Sequence, residues 1–168
     1  FTINFGSAGG NAYGFNPTNV NGTTIKHTKI IIEGNSVDST KNAIYIIRGI
    51  NTTIFNNTLQ TNTTNGSNSH VITELLTTGS LNITQNFIKH GAKSIFGSAV
   101  QSNGIVTGGN VNLNVFIINN TIITEGNGGG NGISITSPSG GGIIRDNFIN
   151  VTSSFGTAIA AIALTTVN

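Results

Sequence analysis

The stretch IFNNTL, residues 54–59, recurs along the chain, each time with Asn at its fourth position and apolar residues on both sides. The copies are ITQNFI (83–88), IINNTI (117–122) and IRDNFI (144–149), and IKHTKI (25–30) is a fainter copy with Thr in the Asn position. Successive copies are 29, 29, 34 and 27 residues apart. A loosely constant period of this length is typical of a solenoid, in which each repeat forms one coil. We call the residues at the Asn position the corner column: Thr28, Asn57, Asn86, Asn120 and Asn147.

A second column, made of small or modest-sized residues, recurs in phase with the corner column. Each of its members opens a run that reads as a strand, and the first five lie 14 to 16 residues before a corner residue. Two columns in fixed phase mean that every coil contains at least two strands. The members of this second column are Ala12, Ala43, Val71, Gly104, Gly132 and Ala158.

The composition indicates an all-β protein. Hydrophobic residues make up 36% of the 168 residues and charged residues only 7%, whereas disorder requires low hydrophobicity together with high charge. Ile and Thr favour strands, Gly and Asn favour turns, and no convincing helical period is present. Coils of this length bury their apolar side chains by stacking about 4.8 Å apart with parallel pairing. We therefore predict a parallel β-helix of about five to six coils, forming one domain over residues 1–168.

The apolar positions that flank the corner column predict the core. Stacking in register turns each of these positions into a column of like residues, and branched side chains pack well on a pleated surface. The position three residues before the corner gives Ile25, Ile54, Ile83, Ile117 and Ile144. The position two residues after the corner gives Ile30, Leu59, Ile88, Ile122 and Ile149.

The corner Asn itself fits a sharp bend between two strands. Asn tolerates left-handed backbone and can hydrogen-bond to peptide groups that a turn leaves unpaired. We expect its amide to be used in this way and to stack with its copies along the axis. The residue before the corner varies from coil to coil, so an outward orientation would make it the position at which a binding surface differs. These varying residues are His27, Asn56, Gln85, Asn119 and Asp146.

The strands and corners together resemble a known repeat. The order G-I-x-I, a turn, then I-x-x-N-x-I is similar to the right-handed parallel β-helix repeat of pectate lyases, polygalacturonases, phage tailspikes and many surface proteins. The richness in Asn, Thr and Ile, in strings such as INTTIFNNTL, most resembles adhesin-like surface proteins of methanogenic archaea. The resemblance implies a right-handed parallel β-helix and a place at the cell surface, but proteins of this fold have diverse functions.

The acidic residues do not form an obvious catalytic pair. Polysaccharide-cleaving enzymes of this fold resemble one another in clustered acids, and glycoside hydrolysis needs two carboxylates a few ångströms apart. Glu33 and Glu125 share a phase but are expected about three coils apart, roughly 14 Å at the spacing of stacked strands. Glu74 and Asp146 lie at other phases, and no tight acidic pair is present; the fifth acid is Asp38.

The three histidines, His27, His70 and His90, also fall at different phases. A shared metal site needs ligands that converge, so we expect surface or turn histidines and neither a metal nor another cofactor. Lys89 and His90 are expected to lie between Glu33 and Glu125 on one outer face, as an ion-pair network of little energetic weight.

The charge balance and hydropathy restrict the partners. Seven cations scattered along a chain of net charge +2 form no basic patch, which argues against nucleic acid. No run of 18 apolar residues is present, which argues against membrane insertion. The chain has no cysteine. Possible N-glycosylation sites, which favour a secretory route, are Asn21, Asn51, Asn56, Asn62, Asn65, Asn82, Asn119 and Asn150.

These observations favour a non-enzymatic extracellular module: a rigid solenoid for cell-surface attachment or for filament or sheath assembly. The alternative is a polysaccharide lyase or glycoside hydrolase of the β-helix fold. No amphipathic helix that would cap either end is evident, so we expect a segment of a larger protein or a polymer subunit. The expected partners are further copies, end to end or side by side, or flanking domains, and carbohydrate is a possible ligand of the outward Asn and Thr columns.

Overall fold

The computed structural model describes residues 2–5, 11–34, 41–63, 69–92, 102–108, 112–126, 130–136, 140–153 and 160–165. These ranges contain strands and short turns and no helix. The strands form three sheets, and every pair of neighbouring strands is parallel.

Sheet A begins at the corner column and contains six strands: β1 (Thr2–Phe5), β4 (Lys29–Gly34), β7 (Thr58–Thr63), β10 (Phe87–Ala92), β13 (Thr121–Gly126) and β16 (Phe148–Ser153). Sheet B also contains six: β2 (Ala12–Phe15), β5 (Lys41–Ile47), β8 (Ser69–Leu75), β11 (Ser102–Gly108), β14 (Asn131–Thr136) and β17 (Ala160–Thr165). Sheet C contains five: β3 (Thr24–Lys26), β6 (Ile50–Phe55), β9 (Thr78–Thr84), β12 (Leu113–Ile118) and β15 (Gly142–Arg145).

One coil passes through sheet B, then sheet C, then sheet A, and the next coil repeats this order one strand further along the axis. The predicted parallel β-helix is therefore confirmed. Four strands of sheet A, four of sheet B and three of sheet C have neighbours on both sides, which amounts to about four turns. The predicted five to six coils is slightly too high for this fully paired part, because it also counted the coils at the two ends.

The core lies between the three sheets and follows the two predicted columns. Ile54 pairs in register with Ile83, and Leu59 pairs with Ile88, all four being 0% exposed. The first four members of each column are buried, which confirms the core prediction for them. Burial of one such side chain contributes roughly 1.5–3 kcal/mol. Ile144 and Ile149, in the last coil, are partly buried and pack against the same core.

The strands of sheet B bend at the small-residue column, as β5 and β8 show. Ala43 and Ile44 are adjacent in β5 and both are 0% exposed, as are Val71 and Ile72 in β8. Since side chains of a straight strand alternate between faces, two successive inward residues show that the strand bends at this point. The bend brings its backbone close to sheet A, so that a Cβ added at Gly14 would come 2.6 Å from Cγ2 of Ile30.

The register of sheet B corrects the ends of the predicted small-residue column. Ala12 pairs with Lys41, so Gly14 is the residue that lies beside Ala43. The pairing of Ile133 with Ile162 places Ala161 beside Gly132. Ala158 lies outside the described residues. The prediction chose these residues by their size. Several Ala residues lie near each end of the chain, and only the strand register shows whether one of them belongs to the column. The corrected small-residue column is Gly14, Ala43, Val71, Gly104, Gly132 and Ala161.

Candidate functional site

The corner column is a continuous stack of hydrogen-bonded side chains. Oδ1 of Asn86 accepts from the backbone N–H of Asn57 at 2.9 Å and from its Nδ2 at 3.0 Å. Nδ2 of Asn86 donates to the carbonyl oxygens of Ile54 and Thr84 at 2.9 and 3.0 Å. The amide of Asn86 thus binds backbone of its own coil and of the preceding coil.

The same contacts repeat along the column. Oδ1 of Asn57 accepts from the backbone N–H of Thr28, and Asn120 and Asn147 reproduce the bonds of the central pair. Asn57, Asn86 and Asn120 are 2–3% exposed. Their amides are occupied by the backbone, so the corner column is a structural feature and not a surface that meets a ligand.

The left-handed backbone lies one residue earlier than the corner column. Asn56 has φ of 50° and Gln85 has φ of 57°, whereas the Asn that follows each has an ordinary φ. The reason is that the corner has two successive outward residues, and the second of them turns the chain so that the corner Asn points inward. All five residues of this left-handed column are exposed: His27, Asn56, Gln85, Asn119 and Asp146.

The exposed left-handed column contains one side-chain contact between coils. Nδ2 of Asn56 lies 3.1 Å from Nδ1 of His27. The His27 ring also meets the Phe55 ring edge to face, with centroids 5.6 Å apart. The column therefore varies in chemistry from coil to coil, but it is a convex edge and encloses no volume.

The bend of sheet B creates the concave surface that the sequence reading missed. On the outer side of the bend, a residue just before it meets a residue just after it in two places, at Asn42 and Thr73 and at Tyr13 and Tyr45. We call this surface the outer groove and define it by two columns of register positions. The first is Tyr13, Asn42, His70, Asn103 and Asn131, and the second is Tyr45, Thr73, Val106 and Ser134.

Two diagonal contacts across the outer groove establish its shape. Oγ1 of Thr73 donates to Oδ1 of Asn42 at 2.8 Å, although the two residues lie on opposite sides of the bend and in successive coils. The Tyr13 and Tyr45 rings make the equivalent contact one coil earlier, stacked at 4.9 Å with 15° between their planes. Outer side chains of a flat sheet at these positions would not meet, so the contacts require the concave bend.

The outer groove is polar and carries no carboxylate, Lys or Arg on either column. Asn42 is 0% exposed, and its Nδ2 has no hydrogen-bond partner. Burial raises the pKa of Tyr13 above its usual 10.0, the neighbouring Tyr45 raises this pKa further, and a hydrogen bond with Asn11 opposes the rise. A signal for the groove was present in the sequence: Ala-Ile, Val-Ile, Gly-Ile and Gly-Ile at 43, 71, 104 and 132 interrupt the alternation of each strand.

His90 corrects the expectation of a surface histidine beside Lys89. It is 0% exposed and faces the core from β10, in register with Thr61 and Thr124. The reason is the strand period, since His90 lies two residues after Ile88 and shares its inward face. His27 is exposed beside the corner column, and His70 is half-buried in β8 of sheet B.

The acidic residues that the structure describes lie at separate places in the fold. Glu74 is 0% exposed, faces the core two residues after Ile72, and its Oε1 accepts from the backbone N–H of Thr77 at 2.9 Å. Glu33 and Glu125 occupy the same column of sheet A with two strands between them. Glu125 pairs with Lys89 at 3.7 Å on a partly exposed surface, where ion pairs contribute little. Asp38 lies outside the described residues.

Asp146 and five of the possible glycosylation sites lie at the surface. Asp146 pairs with Arg145 at 3.7 Å. Asn62 and Asn82 are half-buried, and Asn65 lies outside the described residues. The exposed candidates are Asn21, Asn51, Asn56, Asn119 and Asn150.

Comparison with known proteins assigns the chain to no family, so its class is defined by the fold alone. No family model, no curated protein and no solved structure matches the chain. In the described residues, no group of three or more His, Asp or Glu is arranged to hold a metal ion. Those residues also include no helix with the length and apolar character of a membrane span. The chain is a parallel β-solenoid, and its functional candidates are the outer groove and the ends of the solenoid.

Proposed function

We propose that the chain is a non-enzymatic structural or adhesive module at the cell surface, a rigid solenoid that extends a surface protein or builds a filament or sheath. The observation that carries this proposal is the hydrogen-bonded corner column, which joins every coil from Thr28 to Asn147 to the next. A stack with three paired sheets and a bonded corner resists bending, which is the property a spacer or filament requires.

The C-terminal end of the solenoid supports lengthwise continuation. Among the described residues, the outer edges of β15, β16 and β17 have no neighbouring strand. Phe148 is 61% exposed and Leu164 is 56% exposed. A cavity of about 370 Å³ opens at this end and is lined by apolar groups that include Val115, Ile135 and Leu164. Unpaired strand edges beside exposed apolar side chains favour pairing with a further coil, supplied by a second copy or by further chain.

The cell-surface assignment rests on composition. The Asn- and Thr-rich repeats resemble adhesin-like surface proteins of methanogenic archaea, and five exposed Asn residues lie in N-glycosylation triplets. Carbohydrate is the class of ligand that the uncharged outer face favours. The separation of Glu33 from Glu125, together with the burial of Glu74, favours this reading over a lyase or hydrolase.

Lengthwise assembly is tested by negative-stain microscopy and light scattering over a range of protein concentrations. We expect wild-type chains to form rods longer than one solenoid, and Leu164→Asp to shorten them by placing a charge at the apolar end. Gln85→Asp is the matched control, because Gln85 is exposed on the side of the solenoid. Monomers at every concentration, or equal shortening by both variants, would contradict end-to-end assembly.

A further inference from the structure

We propose that the outer groove of sheet B binds a linear, electrically neutral glycan along the solenoid axis. This inference deepens the adhesive part of the proposed function, since it names the surface and the ligand class, and it does not depend on lengthwise assembly. It rests on the shape of the groove, on its side-chain chemistry and on a buried donor that has no partner.

The groove has a direction and a repeat. The diagonal that joins Tyr13 to Tyr45 and Asn42 to Thr73 connects one position before the bend with one position after it in the next coil. Stacked strands lie about 4.8 Å apart, so polar groups recur along the groove at this interval. A polymer whose hydroxyl groups also recur regularly can bind several coils at once.

The residues of the second column change from large to small toward the C-terminal end. The first diagonal joins two tyrosines and the second joins Asn42 to Thr73. Further along, the second column continues with Ser134 and then Ala163. The tyrosines therefore provide an aromatic wall at the start of the groove, and the second column is lined by smaller side chains beyond it. The apolar C–H face of a sugar ring packs well against such a ring, as apolar groups do against aromatic faces.

The chemistry of the groove selects among polymers. Neither column carries a full charge from an acid, Lys or Arg, so a polyanion such as nucleic acid finds no counter-charge. The strands under the groove between β5 and β14 are paired on both sides, so a peptide finds no open strand edge to join. Amides and hydroxyls beside aromatic rings are the groups that suit a neutral, hydroxyl-rich ligand.

Asn42 supplies the independent observation. Its side chain is 0% exposed and its Oδ1 accepts from Thr73, while its Nδ2 has no partner. A buried donor without an acceptor is destabilising, and such groups call for a specific explanation. A ligand hydroxyl that enters beside Tyr45 supplies the missing acceptor.

The tyrosines provide a selective optical signal. The chain has two Tyr and no Trp, so its intrinsic fluorescence arises from Tyr13 and Tyr45 alone. We would titrate the full chain with cellohexaose and mannohexaose as neutral probes and with hexagalacturonate as a charged probe, following tyrosine fluorescence and, in parallel, the heat of binding. The expected result is saturable binding of a neutral probe and at least tenfold weaker binding of hexagalacturonate.

Variants separate binding by the groove from a general effect on the fold. Tyr45→Ala is expected to weaken binding of the neutral probe by roughly tenfold, the loss of one aromatic contact. Tyr45→Phe keeps the ring and is expected to retain affinity within about threefold of wild type. Phe55→Ala removes a half-buried ring from sheet C and is the matched control, with no change in affinity.

Thermal unfolding of each variant and electron microscopy of its rods accompany the binding measurements. Loss of binding in Tyr45→Ala with unchanged rods supports the groove and leaves lengthwise assembly as a separate question. Absence of binding to both neutral probes at millimolar concentration would overturn the proposal, as would stronger binding of hexagalacturonate or full affinity in Tyr45→Ala.

Discussion

At the scale of the residue, the corner Asn replaces hydrogen bonds that a sharp turn removes from the backbone. Asn86 is the clearest case, since its amide makes five bonds to four residues while the side chain is 2% exposed. Thr28 occupies the same position at the start of the column but lacks an amide, and its hydroxyl bonds to the carbonyl of Lys26 in its own coil. Asn is therefore required where a preceding coil has backbone groups to satisfy.

Replacing Asn86 with Ala is expected to lower the free energy of unfolding by about 2–4 kcal/mol, because it leaves buried backbone groups of two coils without partners. Urea denaturation monitored by circular dichroism measures the change. Gln85→Asn is the matched control, since Gln85 is the exposed left-handed neighbour and Asn occupies that position in other coils. A loss no larger than that of the control would show that the corner bonds contribute little.

Leu76 is an exception among the left-handed residues. It has φ of 58° and is 47% exposed, whereas Asn19 and Arg48 occupy the equivalent turn in other coils. Left-handed backbone costs roughly 1–2 kcal/mol for most L-residues and less for Asn. Leu76→Asn is therefore expected to raise the free energy of unfolding by about 0.5–1 kcal/mol.

Thermal denaturation tests this gain. Ile50→Asn is the control, because Ile50 is 41% exposed but lies in strand β6, where Asn is disfavoured. The control is expected to be neutral or destabilising. A gain in both variants would show that removal of exposed apolar surface, and not relief of the left-handed turn, is the cause.

At the scale of the element, the bend of sheet B shapes both the packing inside the solenoid and the surface outside it. The inner side of the bend approaches sheet A and requires small residues, and the outer side forms the groove. A Cβ added at Gly132 would collide with Cγ2 of Ile149 and would lie 2.7 Å from the carbonyl oxygen of Ala161. The small-residue column thus lies on the inner side of the same bend whose outer side carries the groove.

Gly132→Ala is expected to destabilise the fold by about 1–3 kcal/mol through overpacking between sheets A and B. Gly108→Ala is the control on the neighbouring strand of sheet B, since an added Cβ there has its nearest contact, Cδ2 of Leu75, at 3.5 Å. Differential scanning calorimetry of both variants gives the comparison. Equal melting temperatures would mean that the bend relaxes without cost.

Sequence patterns predicted the elements unequally, and the differences have physical causes. The corner and the Ile columns were predictable because their spacing repeats in every coil. The outer groove was not, because it depends on two successive inward residues such as Ala43 and Ile44, which a strict alternation of faces does not anticipate. His90 was misplaced because its polar character was given more weight than its position two residues after Ile88.

At the scale of the whole molecule, stability is distributed as a chain of similar contacts between neighbouring coils. Each sheet pairs a strand only with its copies in the adjacent coils, so the free energy is close to a sum over successive interfaces. The phase of the coils was predictable from the sequence, whereas the predicted number of coils was slightly too high. The chemistry of the surface was not, since it depends on which side chains the bend brings together.

The direction of the corner bonds has a consequence for how the molecule is made. The backbone N–H and Nδ2 of Asn57 donate to Oδ1 of Asn86, and those of Asn86 donate to Oδ1 of Asn120. The donors of each coil therefore find their acceptor in the coil that follows it in the chain. A polypeptide that emerges from the ribosome or from a translocation pore with its N-terminus first delivers these acceptors in the order in which they are needed. The solenoid is therefore suited to winding up one coil at a time during synthesis or export.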